Sequence, residues 1–218
     1  MTSATTHARD LLERGYAVLE RTHVDEDIEA LRARTLEIYR AHGSPRPYAE
    51  PIVQLTPDLL INPTGFVIGR LLAHAPELAP RLLSRVLVDT ARAVLGEDMS
   101  IELTGAVITD SSRPFFSWHN HIGGIDVEDD RARRVFPRFG RSQRLIAVLY
   151  LDDVDERGGE LLALPRRISD PTEPLGQDRA THWDGEVVVR FPRGSTLVFE
   201  QCTWHAVRPV LRPGLRTF

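Results

Sequence analysis

Residues 1–100 carry mainly the apolar spacing of helices. Apolar positions recur every three or four residues from about Asp25 to Ala41, which predicts an amphipathic helix with one buried face. These apolar positions are Ile28, Leu31, Leu36 and Ile38. A second long helix is predicted from about Pro76 to Leu95, where Gly96 ends the pattern. Near the start, the spacing of Leu11, Leu12, Tyr16 and Leu19 fits one buried helix face, but Gly15–Leu19 fits a short strand equally well.

The pattern changes at about residue 101, where short apolar runs alternate with Gly, Pro and Asp. The runs have the length of strands and are rich in Val, Ile, Leu and Phe. They are Ile101–Ile108, Arg144–Leu151, Glu160–Leu164, Glu186–Phe191 and Ser195–Phe199. Helices followed by many short strands favour a mainly β fold, a β-sandwich or jelly roll with flanking helices. The length of 218 residues suits one domain, with residues 1–100 as a mostly helical part and 101–218 as the β core.

Composition adds to this picture mainly by excluding classes of protein. With 27 Lys and Arg against 31 Asp and Glu, the net charge of −4 gives no reason to expect nucleic acid or an anionic membrane as partner. The chain has no run of 18 apolar residues and no apolar signal-peptide core at its start, so we expect no membrane span. Its single cysteine, Cys202, excludes an internal disulfide and a cysteine-rich zinc site. A cytoplasmic protein is therefore expected.

The densest chemical signal is the pair of histidines His119 and His121. On an extended strand, residues two apart point to the same face, so both imidazoles can approach one atom. Imidazole is the commonest protein ligand for first-row transition metals. Taken alone, the pair fits hydrogen-bonded histidines at a strand end better than it fits a metal site. The charged segment 123–140 that follows is predicted to be either a lid or a solvated surface loop.

The C-terminal part supplies a third histidine and an arginine. His205 follows a strand-like run and a tryptophan, which would bring it to the mouth of the same barrel. Arg212-Pro213-Gly214 is a turn signal, and a hairpin there would run the last strand beside the strand of His205. Arg216 would then point into the same cavity, where a guanidinium can hold a dicarboxylate. In isolation, His205 fits a structural role and Arg216 a surface position.

Four segments, in order, match the motifs of one enzyme family. Leu11–Ala41 contains Gly-Tyr-Ala-Val-Leu and then Asp-Ile-Glu-Ala-Leu-Arg, and Ser117–His121 reads Ser-Trp-His-Asn-His where the family has Trp-His-x-Asp. Leu149–Pro165 is similar to YLDDVDxxNGxLxxLPGSH, and Gly194–His205 to GDLVLFDxxxWH. In this ordered set the chain resembles the phytanoyl-CoA dioxygenase family of Fe(II)/2-oxoglutarate-dependent oxygenases.

The resemblance implies a double-stranded β-helix, the cupin-like jelly roll, with a metal site at its open end. His119 and His205 match the two histidine ligands of the family, and Arg216 stands where its 2-oxoglutarate arginine is expected. Implied cofactors are Fe(II) and the cosubstrate 2-oxoglutarate. The implied reaction uses O2 to oxidise a C–H bond of a small molecule, with decarboxylation of 2-oxoglutarate to succinate. Hydroxylation is the usual outcome, with ring closure or desaturation as alternatives.

The chain departs from the family at the third metal ligand, because His121 occupies the position of its Asp. Three hypotheses follow. His119, His121 and His205 form a three-histidine site, which is our prediction for the catalytic and metal-binding residues. Alternatively, Asp126 folds back through a flexible Gly-Gly turn and supplies a carboxylate. In the third hypothesis His121 turns away and leaves a coordination position open.

Two further departures concern the substrate and the end of the chain. Arg166 and Arg167 replace the family's Gly-Ser after a proline, where they would attract an anionic substrate or remain solvated. The sequence stops two residues after Arg216, so we expect the natural protein to continue. Two rival functions remain open: a three-histidine metal dioxygenase or isomerase that does not use 2-oxoglutarate, and an inactive jelly-roll binding module.

Overall fold

The computed structural model describes residues 3–122, 142, 144–170 and 172–218. The helices are α1 (Ala4–Arg14), α2 (Asp25–Ala41), α3 (Leu71–His74), a 3-10 turn (Pro76–Leu78), α4 (Ala79–Leu82) and α5 (Arg85–Leu95). The strands are β1 (Tyr16–Leu19), β2 (Val53–Thr56), β3 (Leu59–Asn62), β4 (Gly65–Ile68), β5 (Ala106–Thr109), β6 (Phe116–His119), β7 (Leu145–Leu149), β8 (Leu161–Ala163), β9 (Val187–Val189), β10 (Thr196–Glu200), β11 (His205–Val207) and β12 (Arg216–Thr217). Within these ranges, no helix combines the length and hydropathy that a bilayer span requires.

The N-terminal part contains strands as well as the predicted helices. Helix α2 has the predicted bounds, and the segment that fitted either a helix or a strand forms β1. Strands β2, β3 and β4 form an antiparallel meander that the helical pattern did not predict. Asn62 closes the β3–β4 turn, because its side-chain oxygen accepts hydrogen bonds from the backbone N–H groups of Thr64 (2.9 Å) and Gly65 (3.2 Å).

The prediction of one continuous helix from Pro76 to Leu95 is wrong. The structure divides this segment into the 3-10 turn, α4 and α5. Leu83 is extended, with φ −114° and ψ 109°, and Ser84 then starts α5 by accepting a hydrogen bond from the N–H of Leu87. A serine N-cap stabilises a new helix start at this position.

The strands form three antiparallel sheets, and all five predicted strand runs overlap an observed strand. In the first sheet β10 lies between β1 and β7. In the second the order is β6-β11-β8-β9, and in the third it is β12-β5-β4-β3-β2. The predicted fold class, mainly β with flanking helices, is confirmed.

The predicted hairpin between the strand of His205 and the last strand is wrong. Strand β12 pairs with β5, so that Arg216 lies opposite Thr109 in the third sheet. Strand β11 is already flanked by β6 on one side and β8 on the other. Because both of its edges are hydrogen-bonded, no edge is left on β11 for the last strand to join.

One core cluster joins the sheets at the place where the candidate site lies. Its buried members are Tyr16, Tyr150, Val154, Leu161, Ala163, Val189, Phe191, Leu197, Phe199 and Val207. Phe116 and Phe218 pack against it from β6 and from the residue after β12. We call this cluster the barrel core. Because every sheet contributes to it or packs on it, side chains that point inward from different sheets meet there.

Gly15 is the joint between α1 and the barrel. Its φ of +78° ends the helix in the left-handed region, so that β1 begins at the next residue. The carbonyl of Gly15 accepts hydrogen bonds from the N–H of Glu200 (2.9 Å) and from the Thr203 hydroxyl (2.7 Å). A Cβ at position 15 would lie 2.5 Å from the Thr203 oxygen. The helix is therefore fixed to the segment that leads into His205.

Replacing Gly15 by alanine is expected to lower the free energy of unfolding for two reasons. A non-glycine residue in the left-handed region costs about 1–3 kcal/mol. The Cβ would also collide with Thr203, so the total loss should exceed that range. Gly43→Ala is the matched control, since Gly43 has a φ of +81° and a Cβ there would meet nothing within 4 Å beyond its chain neighbours. Urea denaturation of both variants gives the comparison. Equal losses of stability would contradict the collision at Gly15.

Candidate metal centre

Three histidines converge at one end of the barrel core. His119 on β6 and His205 on β11 are direct partners in the antiparallel register, so their side chains lie on the same face. His121 follows His119 by two residues and reaches the same place. One nitrogen from each ring lies within 4.8 Å of the others. Two metal–nitrogen bonds of about 2.1 Å span a similar distance, so the cluster has the size of a site for a single ion.

The hydrogen bonds of His119 and His205 select the ring nitrogen that faces the cluster. Nδ1 of His119 lies 2.9 Å from the carbonyl oxygen of Ser117, and Nδ1 of His205 lies 3.0 Å from that of Thr203. A carbonyl oxygen only accepts, so in each ring Nδ1–H donates. Nε2 then keeps its lone pair, which is the arrangement that orients a histidine for metal binding.

The loop after β10 fixes the backbone at His121. The N–H of His121 donates to the carbonyl of Gln201 over 2.9 Å. The buried carboxylate of Glu200 accepts from the backbone N–H groups of Cys202 (3.0 Å) and Ser169 (3.2 Å). This acid therefore holds the loop rather than joining the histidine cluster. His121 lies in the cluster and is not turned away from it.

Three tryptophans pack behind the histidine strands. Trp118 and Trp204 immediately precede His119 and His205, and neighbouring residues of a strand point to opposite faces. Trp183 stacks on Trp118 with ring centroids 4.5 Å apart and an interplanar angle of 4°, and its centroid lies 5.5 Å from that of Trp204. This tryptophan cluster fills the outer face of the sheet, so the imidazoles project inward from a packed support.

Burial keeps two of the histidines neutral. It lowers the pKa of His205 well below the ordinary value, and the neighbouring imidazoles of His119 and His121 add to this effect. Burial also lowers the pKa of His121 to about 4, with a smaller contribution from the positive charge of Arg144. Neutral imidazole is the form that binds a metal ion. The two rings are therefore ready to act as ligands at neutral pH without losing a proton.

Arg216 is buried at another part of the same barrel core. Its Nη1 donates to the carbonyl of Gly159 over 2.7 Å, and its Cζ lies 5.0 Å from the centroid of the Tyr150 ring. Tyr150 belongs to the barrel core together with Phe199, whose ring centroid is 4.4 Å from that of His205. The histidines and the arginine thus contact the same apolar cluster, the histidines at Phe199 and the arginine at Tyr150.

A second buried arginine, Arg113, was not identified from the sequence. It lies in the connection before β6 and is only 2% exposed. Its Nη2 donates to the carbonyl of Arg208 over 3.2 Å. Burial lowers its pKa to about 10, and the charge of Arg216 contributes to this lowering. No local pattern marks this residue, because an arginine between turn residues is usually solvated.

The remaining predicted residues lie elsewhere. Arg167 is exposed, and Arg166 is partly buried, with its guanidinium donating to the carbonyl of Pro165. Asp126 and the charged segment 123–140 lie outside the described residues, so the hypotheses about a carboxylate ligand and a lid stay predictions.

Comparison with known proteins supports the fold. No protein-family model matches the sequence, and no match is found among curated proteins. The chain is similar to the solved structure of SnoK, a non-heme alpha-ketoglutarate-dependent carbocyclase from nogalamycin biosynthesis, with a TM-score of 0.69, 16% identity, and coverage of 99% of this chain and 83% of SnoK. For HygX from Streptomyces hygroscopicus with nickel, 2-oxoglutarate and hygromycin B bound, the TM-score is 0.67 at 17% identity, and the match covers 97% of this chain and 83% of HygX. For EctD from S. alaskensis in its apoform, the TM-score is 0.65 at 18% identity, and the match covers 99% of this chain and 74% of EctD. The predicted jelly roll is thereby confirmed as the fold.

Stability of the metal-free protein is expected to fall as the pH drops from about 6.5 towards 4. Burial lowers the pKa values of His121 and His205 in the folded protein, so as the pH falls these two histidines bind protons in the unfolded chain before they do so in the folded one. Proton binding therefore favours the unfolded chain, and the folded protein has its full stability only above the pKa of a histidine in the unfolded chain. Urea denaturation at several pH values measures the slope. His121→Gln should make it shallower, because it removes one of the two buried imidazoles. An identical slope in the variant and in the unaltered protein would contradict the burial effect at His121.

Proposed function

We propose that this protein is a non-haem Fe(II)/2-oxoglutarate-dependent oxygenase that oxidises, and most simply hydroxylates, a C–H bond of a small molecule. The observation that carries the proposal is the pairing of two features in one barrel core. Three histidine nitrogens within 4.8 Å of one another face it, and so does the buried guanidinium of Arg216. The first suits a transition metal and the second suits the far carboxylate of a metal-chelating dicarboxylate.

The histidine cluster fits Fe(II) as a resident metal. Imidazole ligands suit iron, and the Nδ1–H hydrogen bonds of His119 and His205 leave Nε2 as the donor atom in both rings. Three neutral imidazoles leave the charge of Fe(II) uncompensated. A doubly charged 2-oxoglutarate would neutralise it, which makes this ligand set suited to binding the dianion.

Arg216 fits the role of the 2-oxoglutarate anchor. Among the described residues it forms no ion pair within 4.0 Å, although it is only 4% exposed. A buried guanidinium without a bound carboxylate is costly, and a bidentate carboxylate offsets that cost. The aromatic rings of Tyr150 and Phe218 hold its plane, with Cζ to centroid distances of 5.0 and 5.4 Å.

When bound, Fe(II) and 2-oxoglutarate supply O2 activation, with decarboxylation of the oxo acid to succinate furnishing two of the electrons. The residues of this chain position these groups and exclude water. Phe116 and Phe199 pack on His119 and His205, with ring centroids 4.5 and 4.4 Å apart, and give the inner side of the site an apolar wall. An apolar, preorganised surrounding strengthens the electrostatic contacts of the histidines and of Arg216.

The class of substrate is inferred from the structural neighbours. HygX has been solved with hygromycin B, a small molecule, beside nickel and 2-oxoglutarate. SnoK is a carbocyclase and SnoN, another neighbour, is an epimerase, so this fold supports more than one kind of reaction. A small-molecule substrate, with O2 as the oxidant, is therefore part of the proposal. The sequence identities of 13–18% do not transfer any particular substrate.

An anaerobic titration with Fe(II) and then 2-oxoglutarate is expected to give the visible charge-transfer band of the chelate. His119→Ala and His205→Ala should each abolish the band, because each removes a ligand nitrogen. His42→Ala is the matched control, since its Nδ1 also contacts a backbone carbonyl but its side chain is exposed. A protein that binds Fe(II) but gives no band with 2-oxoglutarate would refute the proposal and favour a metal dioxygenase or isomerase without this cosubstrate.

The same titration separates the hypotheses about the third ligand. If His121 binds the metal, His121→Ala weakens the band and Asp126→Ala leaves it unchanged. The reverse result would assign the third position to Asp126. Arg216→Ala should retain Fe(II) and bind 2-oxoglutarate about 10-fold to 100-fold more weakly, which is the usual effect of losing a charge-assisted hydrogen bond.

A further inference from the structure

Three buried donor groups, one of them on Arg216 itself, lack hydrogen-bond partners within the described part of the chain. They are the Thr109 hydroxyl, Nε of Arg113 and Nε of Arg216. The three residues are 0%, 2% and 4% exposed, so water does not satisfy these groups at the surface. Buried polar groups are rarely left without a partner. Three such donors therefore indicate a ligand that accepts hydrogen bonds.

Strand pairing places Thr109 and Arg216 together. The two residues are direct partners in the antiparallel register of β5 and β12, so their side chains extend from the same face of that sheet.

Gly159 shows that Arg113 belongs to the same place. A Cβ on Gly159 would lie 2.6 Å from Nη1 of Arg216 and 3.1 Å from the carbonyl oxygen of Arg208. That carbonyl is the one to which Arg113 donates its Nη2–H. The two guanidiniums therefore both lie close to Gly159, which has a φ of +74° and lacks the side chain that would separate them.

The charges around this pair leave it positive. Burial raises the pKa of Tyr150, so its phenol stays neutral beside both arginines. Asp152 is the carboxylate that interacts with Arg216 at a distance, but it also accepts hydrogen bonds from the N–H and hydroxyl of Thr217 and contacts Arg32 at 3.4 Å. Among the described residues, only Arg216 of the two buried guanidiniums interacts with a carboxylate, and that carboxylate has other partners, so together they form a site for an anion.

We propose that Arg113, together with Thr109, forms the carboxylate-binding site with Arg216, so that two guanidiniums and a hydroxyl hold the distal carboxylate of 2-oxoglutarate. This inference rests on the proposed function. It makes Arg113 a specificity-determining residue: it favours oxo acids with a second carboxylate over oxo acids that end in a methyl group.

The test compares 2-oxoglutarate with 2-oxopentanoate, which has the same chain but a methyl group in place of the distal carboxylate. Binding of each to the Fe(II)-loaded protein is measured anaerobically by calorimetry. Arg113→Met keeps much of the length of the side chain and removes its charge. It should weaken 2-oxoglutarate binding about 10-fold to 100-fold and change 2-oxopentanoate binding by less than about twofold. Arg113→Lys should restore part of the difference, because it returns the charge without the planar donor group.

Arg193→Met is the matched control for a general loss of positive charge. Arg193 is partly exposed and pairs with Asp25 and Glu29, away from the barrel core. Its replacement should change the binding of neither oxo acid.

Thr109→Val is the second test variant, since it removes only the hydroxyl. It should weaken 2-oxoglutarate binding about threefold to tenfold and leave 2-oxopentanoate binding unchanged. It keeps the test valid if Arg113→Met fails to fold.

Each outcome has a distinct meaning. Selective loss of 2-oxoglutarate in the Arg113 and Thr109 variants supports the proposal. If the binding of both oxo acids weakens equally, or if 2-oxoglutarate binding is unchanged in both variants, the proposal is overturned while the oxygenase assignment stands. If the unaltered protein binds no 2-oxoglutarate, the proposed function itself fails.

Discussion

The pairing of His205 with His119 across β6 and β11 is the interaction on which the rest of the site depends. A slip of one residue in this register would turn His205 to the outer face, where the tryptophans pack. The register is held because β11 is hydrogen-bonded on both edges, by β6 and by β8. The same saturation of β11 excludes the last strand from pairing there, and that strand pairs with β5 instead, opposite Thr109. The pairing of β11 thus positions the histidines directly and removes one alternative position for the arginine.

The barrel core combines two kinds of polar group under opposite electrostatic conditions. The imidazoles of His121 and His205 are kept neutral by burial, so they remain compatible with an apolar surrounding. The guanidiniums of Arg113 and Arg216 keep their charge and are stabilised only in part by carbonyl groups. Burying such charges reduces the stability of the folded chain. Active sites commonly carry groups of this kind, which lower stability and serve binding.

The sequence predicted the features that follow from local rules, and it failed for those that depend on long-range pairing. The i, i+2 spacing of His119 and His121 places both rings on one side of an extended segment, and the structure brings both into one cluster. The predicted pairing of the last strand with the strand of His205 was wrong, because a turn signal does not reveal which strand edges are already occupied. Arg113 was missed for a related reason: its burial comes from segments distant in the sequence, including Arg208, to which it donates.

The tryptophan cluster determines what optical measurements on this protein report. The chain has three tryptophans, and all three, Trp118, Trp183 and Trp204, belong to this one cluster behind the histidines. Intrinsic fluorescence therefore senses a single corner of the molecule. A transition-metal ion held by His119 and His205 would lie close enough to quench this emission. The core formed around α2 and β3 contributes no tryptophan signal. Fluorescence would therefore report opening of the site, and circular dichroism is needed beside it to establish whether the whole fold unfolds in one step.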